Sequence, residues 1–209
     1  MTLLQLDNLG EDDWGPVTLA LASGECAGLS GPSGIGKTRL LRAIADLDPH
    51  QGEMFFDTRA ASGMRPAEWR RQVAYLPAEP AWWAATAADH FSESPGDELE
   101  RLKIDAGLLK RPIEQLSSGE KQRLALLRLL MKQPRVLLLD EPTSNLDHDN
   151  TLRVEAVIND YLRARPAAAI WVSHNLDQLT RCCATCYQMT TAGLAVAAAQ
   201  PAGGMEVGA

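Results

Sequence analysis

The stretch that most constrains the fold is "GPSGIGKT" at positions 31–38, which follows the apolar "ECAGLS" and opens the amphipathic "TRLLRAIADL". It matches the pattern G-x-x-x-x-G-K-[ST], in which glycines let successive backbone N–H groups curve around an anion. The helix that follows adds the positive end of its dipole. The sequence therefore predicts a strand, a phosphate-binding loop and a helix, in that order. The expected phosphate-binding residues are Gly31, Pro32, Ser33, Gly34, Ile35, Gly36, Lys37 and Thr38.

Two further side chains extend this chemistry. In this pattern the lysine, Lys37, reaches the β- and γ-phosphates, and the hydroxyl of Thr38 binds Mg²⁺. The apolar run "VLLLDE" ends in Asp140 and Glu141. We expect Asp140 to hold the magnesium and Glu141 to polarise the water that attacks the γ-phosphate. An acidic pair after a strand is a weak signal alone, but together with the loop it indicates nucleotide hydrolysis.

Strands alternate with helices along the chain, which is typical of an α/β fold with a mostly parallel sheet. The pattern predicts strands at 3–9, 17–25 with a turn at Ser23-Gly24, 26–31, 72–77, 135–140 and 168–174, and helices at 38–47, 97–104, 120–132 and 150–165. Ligands of such sheets bind beyond the carboxyl ends of the strands. The phosphate loop, the acidic pair and His174 all follow such ends, so three separated segments point to one edge.

We interpret the 209 residues, 45% of them hydrophobic, as a single domain. The expected architecture is of the P-loop NTPase type, with an antiparallel β part at the N-terminal end and a small helical insertion at about 78–132. An Ala/Gly-rich tail begins at about 192.

Composition narrows the classes of function. The net charge of −7 and the pI of about 5.1 argue against a nucleic-acid partner. The sequence shows neither a signal peptide nor an apolar run near ~20 residues, so we expect a cytoplasmic protein. Cys26 and the cluster Cys182, Cys183 and Cys186 are interpreted as reduced thiols packed near a helix end. A metal site that also uses His174 is the alternative.

A second anion-binding helix start follows in "QLSSGEKQRLALLRLL". Serine hydroxyls, free backbone amides and a helix dipole meet at this Ser-Ser-Gly turn. One chain with two such starts needs an explanation. Two copies that face each other head to tail could share two nucleotides.

The motifs "GPSGIGKT", "LSSGE", "VLLLDEPTSNLD" and "WVSH" occur in the order found in the ATP-binding cassette (ABC) ATPases, which the chain resembles along almost its whole length. The resemblance implies a homodimer that binds ATP and Mg²⁺ at its interface. The signature residues Ser117, Ser118, Gly119 and Glu120 of one copy would contact the ATP held by the other. Asp147 would lie along the dimer seam, and His174 would contact the γ-phosphate and hold the water.

The chain departs from the family pattern at three places. Ser118 stands where the family usually has the first glycine of Leu-Ser-Gly-Gly. Ala78, followed by Glu79, stands where the family has a glutamine that binds Mg²⁺ and senses the membrane partner. Trp14 is the only aromatic near the place where the family stacks adenine, so it is either that platform or an ordinary surface or core tryptophan. A tighter alignment places the same position near Glu11.

The resemblance implies the ATPase subunit of a transporter whose permease is a separate transmembrane chain, at the inner face of the cell membrane. Adjacent Trp82 and Trp83 cannot both face one side of a strand or helix. We therefore expect at least one of them to line the groove that receives a permease helix. Among small bacterial cassettes, the nearest group is linked to iron export. The alternative is a soluble ABC protein that acts on nucleic acid or translation.

Overall fold

The computed structural model describes residues 2–11, 14–96 and 98–197. The strands, in chain order, are β1 Thr2–Glu11, β2 Trp14–Ala22, β3 Cys26–Ser30, β4 Gln51–Phe56, β5 Arg59–Ala60, β6 Val73–Leu76, β7 Val136–Asp140, β8 Ala168–Val172, β9 Thr185–Thr190 and β10 Gly193–Val196. The α-helices are α1 Lys37–Ile44, α2 Pro66–Gln72, α3 Glu98–Arg101, α4 Ser118–Met131, α5 His148–Ala164 and α6 Leu176–Cys182.

The strands form two sheets. The first is antiparallel, with the order β2-β1-β4-β5. The second has the order β10-β9-β3-β8-β7-β6, and all its neighbours are parallel except the β9–β10 pair. The carboxyl ends of β3, β6, β7 and β8 therefore lie at one edge.

Burial explains the two kinds of strand. In β2 exposed and buried residues alternate, as expected of a sheet with one face in the core. Every residue of β3, β7 and β8 is buried, because helices or the first sheet cover both faces of the parallel sheet. These central strands carry the loops that form the site, so its framework is rigidly held.

The core has two parts, one on each face of the parallel sheet. Alternate residues of β7 divide between them: Leu138 packs with α1 and the antiparallel sheet, whereas Leu137 and Leu139 pack with α4 and α5. The second part also holds apolar side chains from the segment between β6 and α4, such as Leu102 and Leu116. That segment thus shares the core of the parallel sheet.

The predicted fold class is confirmed: a mostly parallel sheet with helices and an antiparallel N-terminal sheet. The patterns did not predict β4, β5, α2, α6, β9 or β10. In the described parts of the segment 78–116, which leave out residue 97, the chain forms one four-residue α-helix and three short 3₁₀ turns. β10 occupies part of the Ala/Gly-rich stretch, whose remainder beyond residue 197 lies outside the described residues. None of the helices within the described ranges is long and apolar enough to cross a membrane.

Candidate functional site

Four loops meet at the carboxyl edge of the parallel sheet. β3 leads into the glycine-rich loop at 31–36, and β7 ends at Asp140, which is followed by Glu141. β8 leads to Ser173 and His174, and β6 leads to Pro77. The predicted chemistry therefore does come together at one edge.

The glycine-rich loop presents an open helix start. Gly36 is the N-cap of α1 and has a φ of 108°, in the left-handed region that favours glycine. No side chain caps α1, so its first backbone N–H groups are available to an anion. A methyl group at position 36 would lie 3.2 Å from Cβ of Trp14, so the loop packs tightly on the core beneath it.

Lys37 is bonded to its own loop. Its Nζ donates to the backbone oxygen of Gly31 at 2.8 Å and to that of Pro32 at 3.0 Å. Burial lowers the pKa of Lys37, while Glu141 and Asp140 act in the opposite direction. These two acids lie at the end of β7, which β8 separates from β3 in the sheet, and their charges act on the lysine across this edge.

Thr38 and Asp140 are joined by a hydrogen bond. The hydroxyl of Thr38 donates to Oδ2 of Asp140 at 2.8 Å, and the hydroxyl of Tyr75 donates to the same oxygen at 3.0 Å. Burial and the nearby Asp140 carboxylate raise the pKa of Tyr75, which therefore stays a hydrogen-bond donor. A hydroxyl and a carboxylate this close are the hard oxygen ligands that Mg²⁺ prefers.

Glu141 and His174 form a pair at the centre of the edge. Nε2 of His174 lies 3.4 Å from Oε1 of Glu141. Glu141 has a φ of 47°, an uncommon conformation for a residue other than glycine. Burial is the main cause that raises the pKa of Glu141, and His174 opposes the shift. A carboxylate with a raised pKa is suited to accepting a proton.

The Ser-Ser-Gly turn begins α4 with a capping box. Oγ of Ser117 accepts from the backbone N–H of Glu120, and the Glu120 carboxylate accepts from the backbone N–H of Ser117 at 2.8 Å. Ser117 and Ser118 are both exposed. Ser118 is the first helical residue, so the serine at this family glycine position adopts an ordinary backbone conformation.

Gly119 is held more tightly than Ser118. A methyl group at Gly119 would lie 2.9 Å from the backbone oxygen of Asn145 and 3.2 Å from Leu146. The start of α4 thus packs directly against the segment that follows Glu141. At the end of that segment Asp147 caps α5 and accepts from the backbone N–H of Asn150 at 2.8 Å.

Comparison with known proteins decides the family. The ABC transporter family matches residues 15–144 of the chain. The chain belongs to the ABC transporter family. The probable iron export ATP-binding protein FetA of Escherichia coli (strain K12) is 35% identical over 195 residues, which cover 85% of this chain and 87% of that protein. The chain is therefore an ATP-binding protein and an ATPase.

Solved structures confirm the ABC fold. The structure of an ATP-binding subunit of an ABC transporter superimposes with a TM-score of 0.83 at 23% identity and covers 94% of this chain and 90% of that one. A dimeric, post-hydrolysis structure of the ATP-binding cassette MJ0796 with ADP and Pi gives a TM-score of 0.79 at 20% identity. That comparison covers 92% of this chain and 96% of the other.

Trp14 of this ABC ATPase lies in the core. Its side chain belongs to the core under the glycine-rich loop, and the residue is 3% exposed. Nε1 of Trp14 donates to Glu11, which also pairs with Arg39. Of the two alternatives for Trp14, the structure favours the core tryptophan, because a ring buried on both faces offers no surface on which adenine can stack.

The two adjacent tryptophans of the ABC ATPase differ in exposure. Trp83 is 73% exposed, whereas Trp82 packs against the second part of the core. The guanidinium of Arg128 lies 4.5 Å from the ring centre of Trp82 and 4.9 Å from that of Trp83. Trp83 and Arg128 line a groove of about 250 Å³ together with β6 and the end of α4. Glu79, beside Ala78, is exposed.

The four cysteines of the ABC ATPase are free thiols, and they gather where α6 ends beside β3. Sγ of Cys26 lies 3.3 Å from Sγ of Cys183, and burial raises the pKa of Cys182 to about 12. Within the described ranges, no three His, Cys, Asp or Glu side chains are grouped in a way that could hold a metal ion. The structure thus gives no support to the alternative metal site with His174.

Sequence reasoning missed several residues next to the site. Tyr75 contacts Asp140, and Gln178 bonds to Thr143 and Ser173. The apolar pattern of "VAYL" marked Tyr75 as a strand residue but gave no sign that its hydroxyl faces the acid. No local motif marks the side chain of Gln178, because its side-chain partners Thr143 and Glu155 are distant in sequence.

Proposed function

We propose that the chain is the ATP-hydrolysing subunit of a transporter and drives a permease that is a separate transmembrane chain. The observation that carries the hydrolytic role is the 3.4 Å approach of His174 to Glu141 beside the glycine-rich loop. Glu141 accepts a proton from the attacking water, and His174 orients that water against the γ-phosphate. Lys37 leaves its loop carbonyls to bind the β- and γ-phosphates.

Thr38 and Asp140 are the residues that would hold Mg²⁺, since their oxygens already lie within hydrogen-bond distance. The ion, when bound, neutralises charge on the phosphates. Tyr75 keeps the Asp140 carboxylate oriented through its own hydrogen bond. Ala78 has no polar side chain, so it contributes no ligand in place of the family's glutamine.

We propose that the active form is a head-to-tail homodimer with two ATP. The exposed Ser118 supports this, because its hydroxyl lies at the positive end of the helix, where a phosphate on a second copy can reach it, whereas the hydroxyl of Ser117 is used in the capping box. Asp147 lies in the loop that packs against this start, and we place it at the dimer seam. The MJ0796 cassette forms a dimer of this kind of subunit.

Replacement of Gly119 by alanine is expected to weaken ATP-driven dimerisation about tenfold. The added methyl would meet the backbone of Asn145, so either the signature turn or the Asp147 loop must move. The measurement is the monomer–dimer equilibrium with ATP, by light scattering, in the Glu141→Gln background. Gly63→Ala is the matched control, because a methyl there meets nothing within 4 Å. Equal dimerisation of Gly119→Ala and Gly63→Ala contradicts the proposal that the start of α4 lies in the dimer interface.

The permease is proposed to dock in the groove beside Trp83. The exposed Trp83 ring and the apolar wall from β6 offer a surface for a helix. Arg128, Arg70 and Lys132 line the same groove and make its rim cationic. This docking places the chain at the inner face of the cell membrane.

Replacement of Trp83 by serine is expected to weaken the association with the permease about thirtyfold, as is typical of an exposed aromatic anchor. The ATPase activity of the isolated chain is expected to stay within twofold, ~0.4 kcal/mol in barrier height. Co-purification from detergent-solubilised membranes measures the first quantity. Val196→Ser is the control, because Val196 is 70% exposed on β10, at the opposite edge of the sheet. Retention of the permease by Trp83→Ser excludes this groove.

The identity of the chain that co-purifies tests the proposed function as a whole. A polytopic membrane protein is the expected result, whereas ribosomes or nucleic acid would indicate a soluble ABC protein. The relative FetA is described as a probable iron export protein. We propose metal export, with iron as the first cargo to test, by the iron content of cells that lack this chain.

A further inference from the structure

One buried glutamine touches both loops that carry the proposed catalytic pair. Gln178, in α6, is 2% exposed, and its side chain is hydrogen-bonded at both ends. On one loop its partner is Thr143, two residues after Glu141. On the other its partner is Ser173, which directly precedes His174. Its amide therefore spans the gap between the two segments.

The bonds have defined directions. Nε2 of Gln178 donates to Oγ1 of Thr143 at 2.9 Å, and Oε1 of Gln178 accepts from the hydroxyl of Ser173 at 2.9 Å and from that of Thr143 at 3.2 Å. Ser173 is 3% exposed, and its hydroxyl also accepts from the backbone N–H of Asn175 at 3.1 Å. The hydroxyl of Ser173 therefore links Gln178 to Asn175, so the residues on both sides of His174 are held by one hydrogen-bonded group.

A buried carboxylate fixes which way the amide faces. Glu155 of α5 is 6% exposed and accepts from Nε2 of Gln178 at 2.9 Å. Arg181 donates to the same carboxylate at 2.8 Å from the protein surface. Because a carboxylate only accepts, the NH₂ group of Gln178 must face Glu155, and its carbonyl accepts from the hydroxyls of Ser173 and Thr143.

One backbone bond, from the N–H of Glu141 to the carbonyl of Val172 at 3.1 Å, joins the two strand ends, and the loops beyond them need a further tie. Glu141 holds an uncommon left-handed backbone conformation, which persists only when its surroundings impose it. Its Oε1 lies 3.4 Å from His174, a distance that a small shift of either loop would change. Thr143 lies on the loop of Glu141 and Ser173 on the loop of His174, and both side chains bond to the buried Gln178.

We propose that Gln178 is a positioning residue that sets the distance between Glu141 and His174. This inference rests on the catalytic roles proposed above for those two residues. Gln178 acts through the hydroxyls of Thr143 and Ser173, and Glu155 keeps its amide in the working orientation. It touches no reacting atom itself.

The test is single-turnover ATP hydrolysis by Gln178→Met. This variant keeps the length of the side chain and removes the hydrogen bonds of its amide group. The rate is expected to fall on the order of 10- to 100-fold, because a small misplacement of reacting groups has effects of that size. The Kd for ATP, measured by fluorescent-nucleotide titration, is expected to stay within twofold. Thr180→Val removes an exposed hydroxyl from the same helix and is expected to leave both values unchanged.

A double-mutant cycle with His174→Ala separates positioning from a merely structural role. In the His174→Ala background, Gln178→Met is expected to lower the rate of ATP hydrolysis by less than about twofold. An equal loss in both backgrounds, or a rate of Gln178→Met that matches the unmodified chain, overturns the inference. An unchanged rate in His174→Ala alone overturns the proposed role of His174, and this inference with it.

A milder pair of variants keeps the test open if Gln178→Met does not fold. Thr143→Val preserves shape and removes the hydroxyl, whereas Thr143→Ser preserves the hydroxyl. The valine variant is expected to lose rate in the same way, and the serine variant to recover most of it. Equal rates for the two variants overturn the inference.

Discussion

Glu141→Gln is expected to retain ATP binding but to lower the rate of ATP hydrolysis by roughly 10²-fold or more, since removal of a general base costs about that much. The amide keeps the shape of the side chain, so the loop beside His174 stays in place. It cannot accept the proton that the raised pKa of Glu141 equips the carboxylate to take. The measurements are steady-state phosphate release and nucleotide affinity on the same preparation.

The same variant is expected to accumulate as a dimer with ATP, because hydrolysis no longer separates the two copies. Light scattering with ATP and with ADP distinguishes the two states. Asp177→Asn serves as control, because it removes an exposed carboxylate three residues after His174. Unchanged turnover in Glu141→Gln means that Glu141 is not the base, and a persistent monomer means that dimerisation requires the permease.

Lys37→Ala is expected to weaken ATP binding on the order of 10²- to 10⁴-fold, because charge-assisted bonds to two phosphates are lost and each contributes about 1.5–3 kcal/mol. Lys37 is 7% exposed and interacts electrostatically with Glu141 and Asp140, so its loss also removes a positive charge that offsets these two carboxylates beside the phosphates. Fluorescent-nucleotide titration gives the affinity.

Lys110→Ala is the control, because it removes a lysine that is exposed at the end of a short 3₁₀ turn. The two variants change the net charge equally, so a general electrostatic effect would appear in both. An affinity for ATP that is unaltered in Lys37→Ala contradicts the assignment of this lysine to the phosphates.

The sequence predicted those parts of the fold that depend on local pattern. The run at 135–140 and the helix start at Ser117 carry their signals within a few residues, and both elements were confirmed within two residues. β9 and β10 were missed, because "TCYQMT" has no clear alternation and its pairing with β3 depends on residues far away in the chain. Strand pairing of that kind is a tertiary property.

The part of the site that lies in the glycine-rich motif or at the end of an apolar strand could be predicted from the sequence. Lys37, Thr38 and Asp140 were placed together from spacing and strand ends alone. The burial of Trp14 was not predictable, since an aromatic at that position serves equally well in a core or on a surface. The partners of Gln178 lie on three different elements, so only the folded chain brings them together.

The lysine of the glycine-rich loop has a consequence for turnover. Its ammonium group already has two acceptors in the backbone of residues 31 and 32. When the product leaves, the ammonium group is therefore hydrogen-bonded to carbonyls of its own chain and does not lie unpaired beside an apolar core. The release of ADP is easier for this reason, and incoming ATP replaces the two backbone oxygens as the hydrogen-bond partner of the lysine.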